Sequence, residues 1–130
     1  DYQLGIETME KLKALSCPLA VLSHYGVCRE LPALAEENIR QVKEMLAGIR
    51  RTLGPSETLE TAVRKVWKAL WDRPVSEEQA LLLEREVRAA LEYFVENGWA
   101  RAEIREGVME YVFVQGLSPT RSCCMIDFSC

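Results

Sequence analysis

The sequence predicts an α+β fold that is mainly α: an antiparallel helical layer followed by a C-terminal β-hairpin. Three observations carry this. Four segments before Gly98 repeat their apolar residues every three or four positions, as on a single helix face. Beyond Gly98 the period becomes two, as in a half-buried strand. The connections are short and carry Gly or Pro, which favours antiparallel neighbours.

In chain order, "LGIETMEKLKAL" has the spacing of a first helix burying Ile6, Met9, Leu12 and Leu15. "SCPLAVLSHYGVC" is mostly apolar, and Pro18 and Gly26 leave its state open. From Pro32 to Leu53 the residues Ala35, Ile39, Val42, Leu46, Ile49 and Leu53 alternate steps of four and three, which lays them in one seam that Gly54 and Pro55 end. "PSETLETAVRKVWKALWDR" predicts the next helix, with Leu59, Val63, Val66, Trp67, Leu70 and Trp71 on one face and a Glu60 to Arg64 pair on the other. The very short connection between these two helices predicts that they run antiparallel and share their seams.

After Pro74, Ser76 and Gln79 have the spacing of a capping box, and Val75 and Ala80 that of a hydrophobic staple. The helix they open buries Ala80, Leu83, Val87, Ala90, Leu91 and Phe94, and Gly98 stops it. "WARAEI" and "VMEYVFV" then flank Arg105, Glu106 and Gly107, a three-residue loop ending in glycine. That loop length sets Trp99 opposite Phe113 and Arg101 opposite Tyr111.

With 130 residues and 48% hydrophobic content, the chain is expected to be one domain able to fold alone. Its parts are the N-terminal helices (1–54), the following helices and hairpin (55–116) and a cysteine-rich tail (117–130). A net charge of -4 argues against a nucleic-acid polyanion or an anionic membrane as partner and favours a protein. No apolar run reaches the length of a membrane span, and the start has no signal architecture. Five cysteines, an odd number without regular spacing, point to a reducing cytoplasm. A first residue of Asp1 suggests a processed chain or a domain cut from a longer one.

Helix, short turn, longer helix ending "ENGW" and two-stranded ribbon, over about residues 56–115, resemble the winged-helix superfamily in pattern, with the ribbon as the wing. The resemblance implies that the helix before the wing enters the DNA major groove in those members that bind DNA. In this chain that helix carries Glu77, Glu78, Glu84, Glu86, Glu92 and Glu96 against Arg85 and Arg88. Phosphate neutralisation supplies much of the affinity of such complexes, so the charge opposes DNA binding and suits the protein-contact use that many such domains serve.

Candidate site residues are few. His24 is the only histidine, so no histidine pair is available for zinc, and it is read as a partly buried turn residue. Ser118, Ser122 and Ser129 lie in no nucleophile-elbow pattern, no glycine-rich phosphate loop is present, and Glu84, Glu86, Glu92 and Glu96 read as a solvated face. Trp67, Trp71 and Trp99 read chiefly as core, but an exposed one becomes a partner anchor. Arg105 is a further contact candidate at the wing tip.

The closing "RSCCMIDFSC" holds three of the five cysteines. Two of Cys123, Cys124 and Cys130 could join Cys17, Cys28 and His24 around zinc or an iron-sulfur cluster, or one tail thiol could pair with Cys17 or Cys28 as a redox couple. The mixture of serines, threonine and cysteines also resembles the core of a modified peptide attached to a leader. Packing of Cys123, Met125, Ile126 and Phe128 onto the helices is preferred, since no C-x-x-C occurs. The expectation is therefore a non-catalytic protein-interaction module without a cofactor. The alternatives are a cysteine-ligated metal or thiol redox protein, and a nucleic-acid-binding winged helix.

Overall fold

A computed structural model describes residues 1–23 and 26–114. The chain is mainly helical with small antiparallel sheets, an α+β fold. It divides into two compact units, the first from Asp1 to Met45 and the second from Leu46 onward.

In the first unit, helix α1 runs Tyr2–Lys13. The Asp1 carboxylate accepts the Leu4 N–H at 2.9 Å, and Lys11 and Lys13 in the last turn complement the helix dipole. None of its residues is fully buried; Ile6, Met9 and Leu12 are half-buried. Leu15, expected on the buried face, is exposed, because the helix stops at Lys13 and takes it out of the 3.6-residue repeat. The segment whose state the sequence left open contains two short strands, β1 (Ala20–Leu22) and β2 (Gly26–Cys28), paired antiparallel with Val21 opposite Val27.

Helix α2 (Leu31–Thr52) crosses the boundary between the units. Its seam is present: Ala35 and Ile39 are buried in the first unit, Leu46, Ile49 and the following Leu53 in the second, and Val42 is half-buried. Leu31 extends the same repeat by one step and is buried too.

In the second unit the connection after α2 is more than a turn. It holds strand β3 (Ser56–Thr58) before helix α3 (Leu59–Leu70). Thr58 caps α3 through a reciprocal box with Thr61, so the helix begins at Leu59, the first residue of its apolar pattern. Helix α3 packs on α4 (Glu77–Glu96) and on β3. Its fully buried residues are Ala62 and Val66; Leu59, Val63 and Trp67 are half-buried, and Leu70 and Trp71, expected inside, are exposed.

Helix α4 opens with the Ser76–Gln79 capping box. Leu83, Val87, Ala90, Leu91 and Phe94 are buried as predicted, joined by Tyr93, whereas Ala80 in the first turn is exposed. Gly98 ends the helix at φ +72°. The Gly98 N–H donates to Val95 O at 3.1 Å and the Trp99 N–H to Phe94 O at 2.8 Å, the paired bonds of a Schellman close.

Strands β4 (Ala100–Arg105) and β5 (Val108–Phe113) form the hairpin, and β3 adds to β5, giving the order β3-β5-β4. The register differs by one residue from the expected one: Ala100 faces Phe113, Ala102 faces Tyr111 and Arg101 faces Val112. The cause is the turn. Glu106 and Gly107 both have positive φ, +50° and +80°, as in a two-residue type I′ loop, so Arg105 belongs to the strand. The core of this unit is aromatic where helix meets sheet. Phe94 stacks on Trp99 at 5.5 Å and meets Phe113 edge-on at 5.8 Å, and the Arg50 guanidinium lies 4.1 Å over the Phe113 ring.

Candidate functional site

The three tryptophans have different surroundings. Trp99 is held by the Schellman turn, stacked on Phe94 and edge-on to Tyr93 at 6.1 Å, and is half-buried. Trp67 is half-buried on α3, and its indole N–H donates to Arg73 O at 3.0 Å, tying the helix end to the chain that follows. Trp71 is 37% exposed beside Leu70 at 51%. Helix α3 ends at Leu70, and Asp72 follows with φ +42°, so the chain turns and leaves both apolar side chains uncovered. The Arg73 guanidinium sits 5.4 Å from the Trp71 ring centre. Together these residues make a small apolar surface with one cation on its margin.

Arg105 at the end of the hairpin contacts Glu103 at 3.2 Å and Glu110 at 3.6 Å. Its charge is therefore matched locally. On α4, Glu77, Glu78, Glu84, Glu86, Glu92 and Glu96 are all exposed, and Arg88 pairs with Glu84 at 3.1 Å.

Of the candidate ligands, Cys17 and Cys28 are half-buried free thiols, and Cys17 Sγ donates to Leu19 O at 3.0 Å. His24, Cys123, Cys124 and Cys130 lie outside the described residues, as does the whole proposed tail packing. Among the described residues no three His, Cys, Asp or Glu side chains converge in a way that could hold a metal ion. No described helix is long and apolar enough to cross a membrane.

Two features escaped the sequence. The first unit contains a cleft of about 470 Å³ between α1, β1 and α2, lined by Met9, Leu12, Leu22, Leu31, Leu34 and Ala35 with Ser23 and Asn38 as its polar groups. Among the described residues that lining holds no ionisable side chain, and its Leu, Met and Ala side chains offer a shape for apolar groups.

The second feature is Glu57, 3% exposed in the middle of β3. Its register partner is Tyr111, so the period of two turns its side chain to the same sheet face as the buried Tyr111 and Phe113. There the carboxylate accepts the Gly54 N–H at 2.6 Å and the Thr61 hydroxyl at 2.7 Å, and pairs with Lys65. Burial pushes the carboxyl up, but the hydrogen bonds from Lys65, Thr61 and Gly54 outweigh it and leave the group below its ordinary value. A Cβ at Gly54 would lie 3.0 Å from Glu57 Oε1 and 3.3 Å from Lys65 Nζ, so a larger residue there would have to shift this pair by a few tenths of an ångström. Both oxygens of this carboxylate are engaged, Oε1 by Gly54 and Lys65 and Oε2 by Thr61, which makes it a clamp between β3 and α3.

No protein-family model, curated protein or solved structure matches this chain.

Proposed function

We propose that the chain is a non-catalytic protein-interaction module, in which the end of α3 makes the contact. The observation that carries this reading is the exposure of Trp71 and Leu70, two large apolar side chains adjacent at a helix end. Tryptophan beside arginine is the composition of interface hot spots, because a broad ring buries much area at low entropic cost and a guanidinium can stack or pair at its rim. Trp67, whose indole N–H is held by Arg73 O, ties down the chain beside that surface, whereas Trp99 lies beyond the far end of α4, stacked on Phe94.

Helix, helix and ribbon in the order α3-α4-β4-β5, with β3 completing the sheet, support a winged-helix-like reading of the second unit. The exposed acids of α4 and the neutralised wing-tip Arg105 favour a protein over duplex DNA as what it meets. In this reading the protein works in the cytoplasm and needs no cofactor.

Affinity capture from the native source with wild type and Trp71→Ala, followed by mass spectrometry, tests it. A protein recovered stoichiometrically by wild type and lost with the variant, at unchanged thermal melt, is expected. Equal recovery by both would remove Trp71 from the contact. Submicromolar binding to random duplex DNA at moderate salt, abolished by Arg85→Glu, would replace the reading with a nucleic-acid one.

A further inference from the structure

Strand β4 is the outer strand of its sheet, and among the described residues nothing pairs with its other side. We propose that this edge pairs with the same edge of a second copy of the chain, antiparallel about a two-fold axis at Ala102.

The backbone sets which groups are available. The Val114 N–H donates to Trp99 O at 3.0 Å, so residue 99 bonds across to β5, and the alternation of an antiparallel ladder gives the same role to Arg101, Glu103 and Arg105. Ala100, Ala102 and Ile104 therefore point their N–H and C=O groups outward. Such an edge is a template for another strand.

Charge then selects the partner and the register. Arg101, Glu103 and Arg105 share one face of β4, where Glu103 pairs within the chain with Arg101 at 3.5 Å and Arg105 at 3.2 Å while the Arg101 side chain stays 71% exposed. With Ala102 opposite Ala102, Arg101 of each copy faces Glu103 of the other, twice by symmetry. The next register on one side sets Arg101 against Arg101. On the other side Glu103 meets Glu103 and Arg101 meets Arg105. Both oppose like charges, which disfavours them. A register centred on Ile104 also opposes Glu103 to Arg105, but it pairs only residues 103–105.

The second face of the strand agrees. Ile104, 76% exposed, and its cross-strand partner Met109, 50% exposed, continue the apolar sheet face of Ala100, Tyr111 and Phe113 beyond the core. In the Ala102-centred register Ile104 lies over Ala100 of the second copy, a large residue against a small one, and leaves water. This surface uses residues other than Leu70 and Trp71, so it stands or falls separately from the reading above.

Sedimentation of the full chain tests the pairing. At about 100 µM the wild type is expected at twice the 14.8 kDa chain mass. Arg101→Glu or Glu103→Arg alone places like charges opposite at two symmetric contacts and should weaken the dimer about tenfold or more. The double exchange Arg101→Glu with Glu103→Arg restores the opposition and should restore the dimer. Ala102→Pro removes an outward N–H that β5 does not use, so it should give a monomer whose circular dichroism is unchanged. A monomeric wild type, a dimer that survives Ala102→Pro, or a double exchange that dissociates as readily as the single variants would overturn the proposal.

Discussion

Glu57 shows how one residue can be decided by its neighbours. A glutamate between Pro55 and a helical repeat carries no local sign of burial, yet the chain places it in a strand facing inward. Its clamp has consequences for stability. The folded-state carboxyl titrates below its ordinary 4.5, so the stabilisation is complete above that value and is lost as pH falls through the lowered folded-state pKa. Glu57→Gln turns one acceptor oxygen into an NH₂ group that must face Lys65, Thr61 or the Gly54 N–H, and it should cost about 2 kcal/mol at pH 7. Urea unfolding checks both points: the wild type and the variant should converge as the pH is lowered past the glutamate range. A difference that persists at low pH would show that the loss is one of packing and not of charge. Glu37, by contrast, titrates at about 2 because Arg40 and Gln41 hold its carboxylate, but the pair lies in solvent and water screens it.

At the scale of elements, the hairpin separates what periodicity can and cannot tell. Alternation between Gly98 and Val114 locates both strands, but it is equally consistent with either parity of pairing, because a period of two has no origin. The turn supplies the origin. Glu106 occupies a left-handed position that suits Asn far better. Glu106→Asn should therefore raise stability by about 1 kcal/mol, read as a higher denaturant midpoint with an unchanged slope. No gain would mean that the loop relaxes to another turn type in solution. Helix α3 teaches the complementary lesson. Its apolar stripe runs on to Leu70 and Trp71, but the stripe records which residues share a side, not where the covering layer stops. The exposed end of that stripe became the contact surface proposed for the module.

For the whole molecule, the seam of α2 matters because it contributes buried residues to both units. Leu46, 1% exposed, is the first residue of the second unit, and Leu46→Asp would bury an unpaired carboxylate beside that core. The expected outcome is loss of the cooperative thermal transition, a cost above about 4 kcal/mol. A melt like that of wild type would mean that the seam is reached by water in solution.

Helical content, the caps at Ser76 and Gly98, the seam from Ala35 to Leu53 and the existence of a C-terminal ribbon were legible in the sequence. Each depends on residues within a turn or two of one another, so local spacing and stereochemistry determine them. The strand β3, the inward turn of Glu57, the one-residue register of β4 on β5 and the exposure of Trp71 were decided only by tertiary structure. Ser56 meets Val112 and Glu57 meets Tyr111 across more than fifty residues of chain, and no short window holds both partners of such a pair. The edge of β4 belongs to the same class. Its alternating charges are visible in the chain, but only the strand order β3-β5-β4 leaves them at a border where another chain can read them.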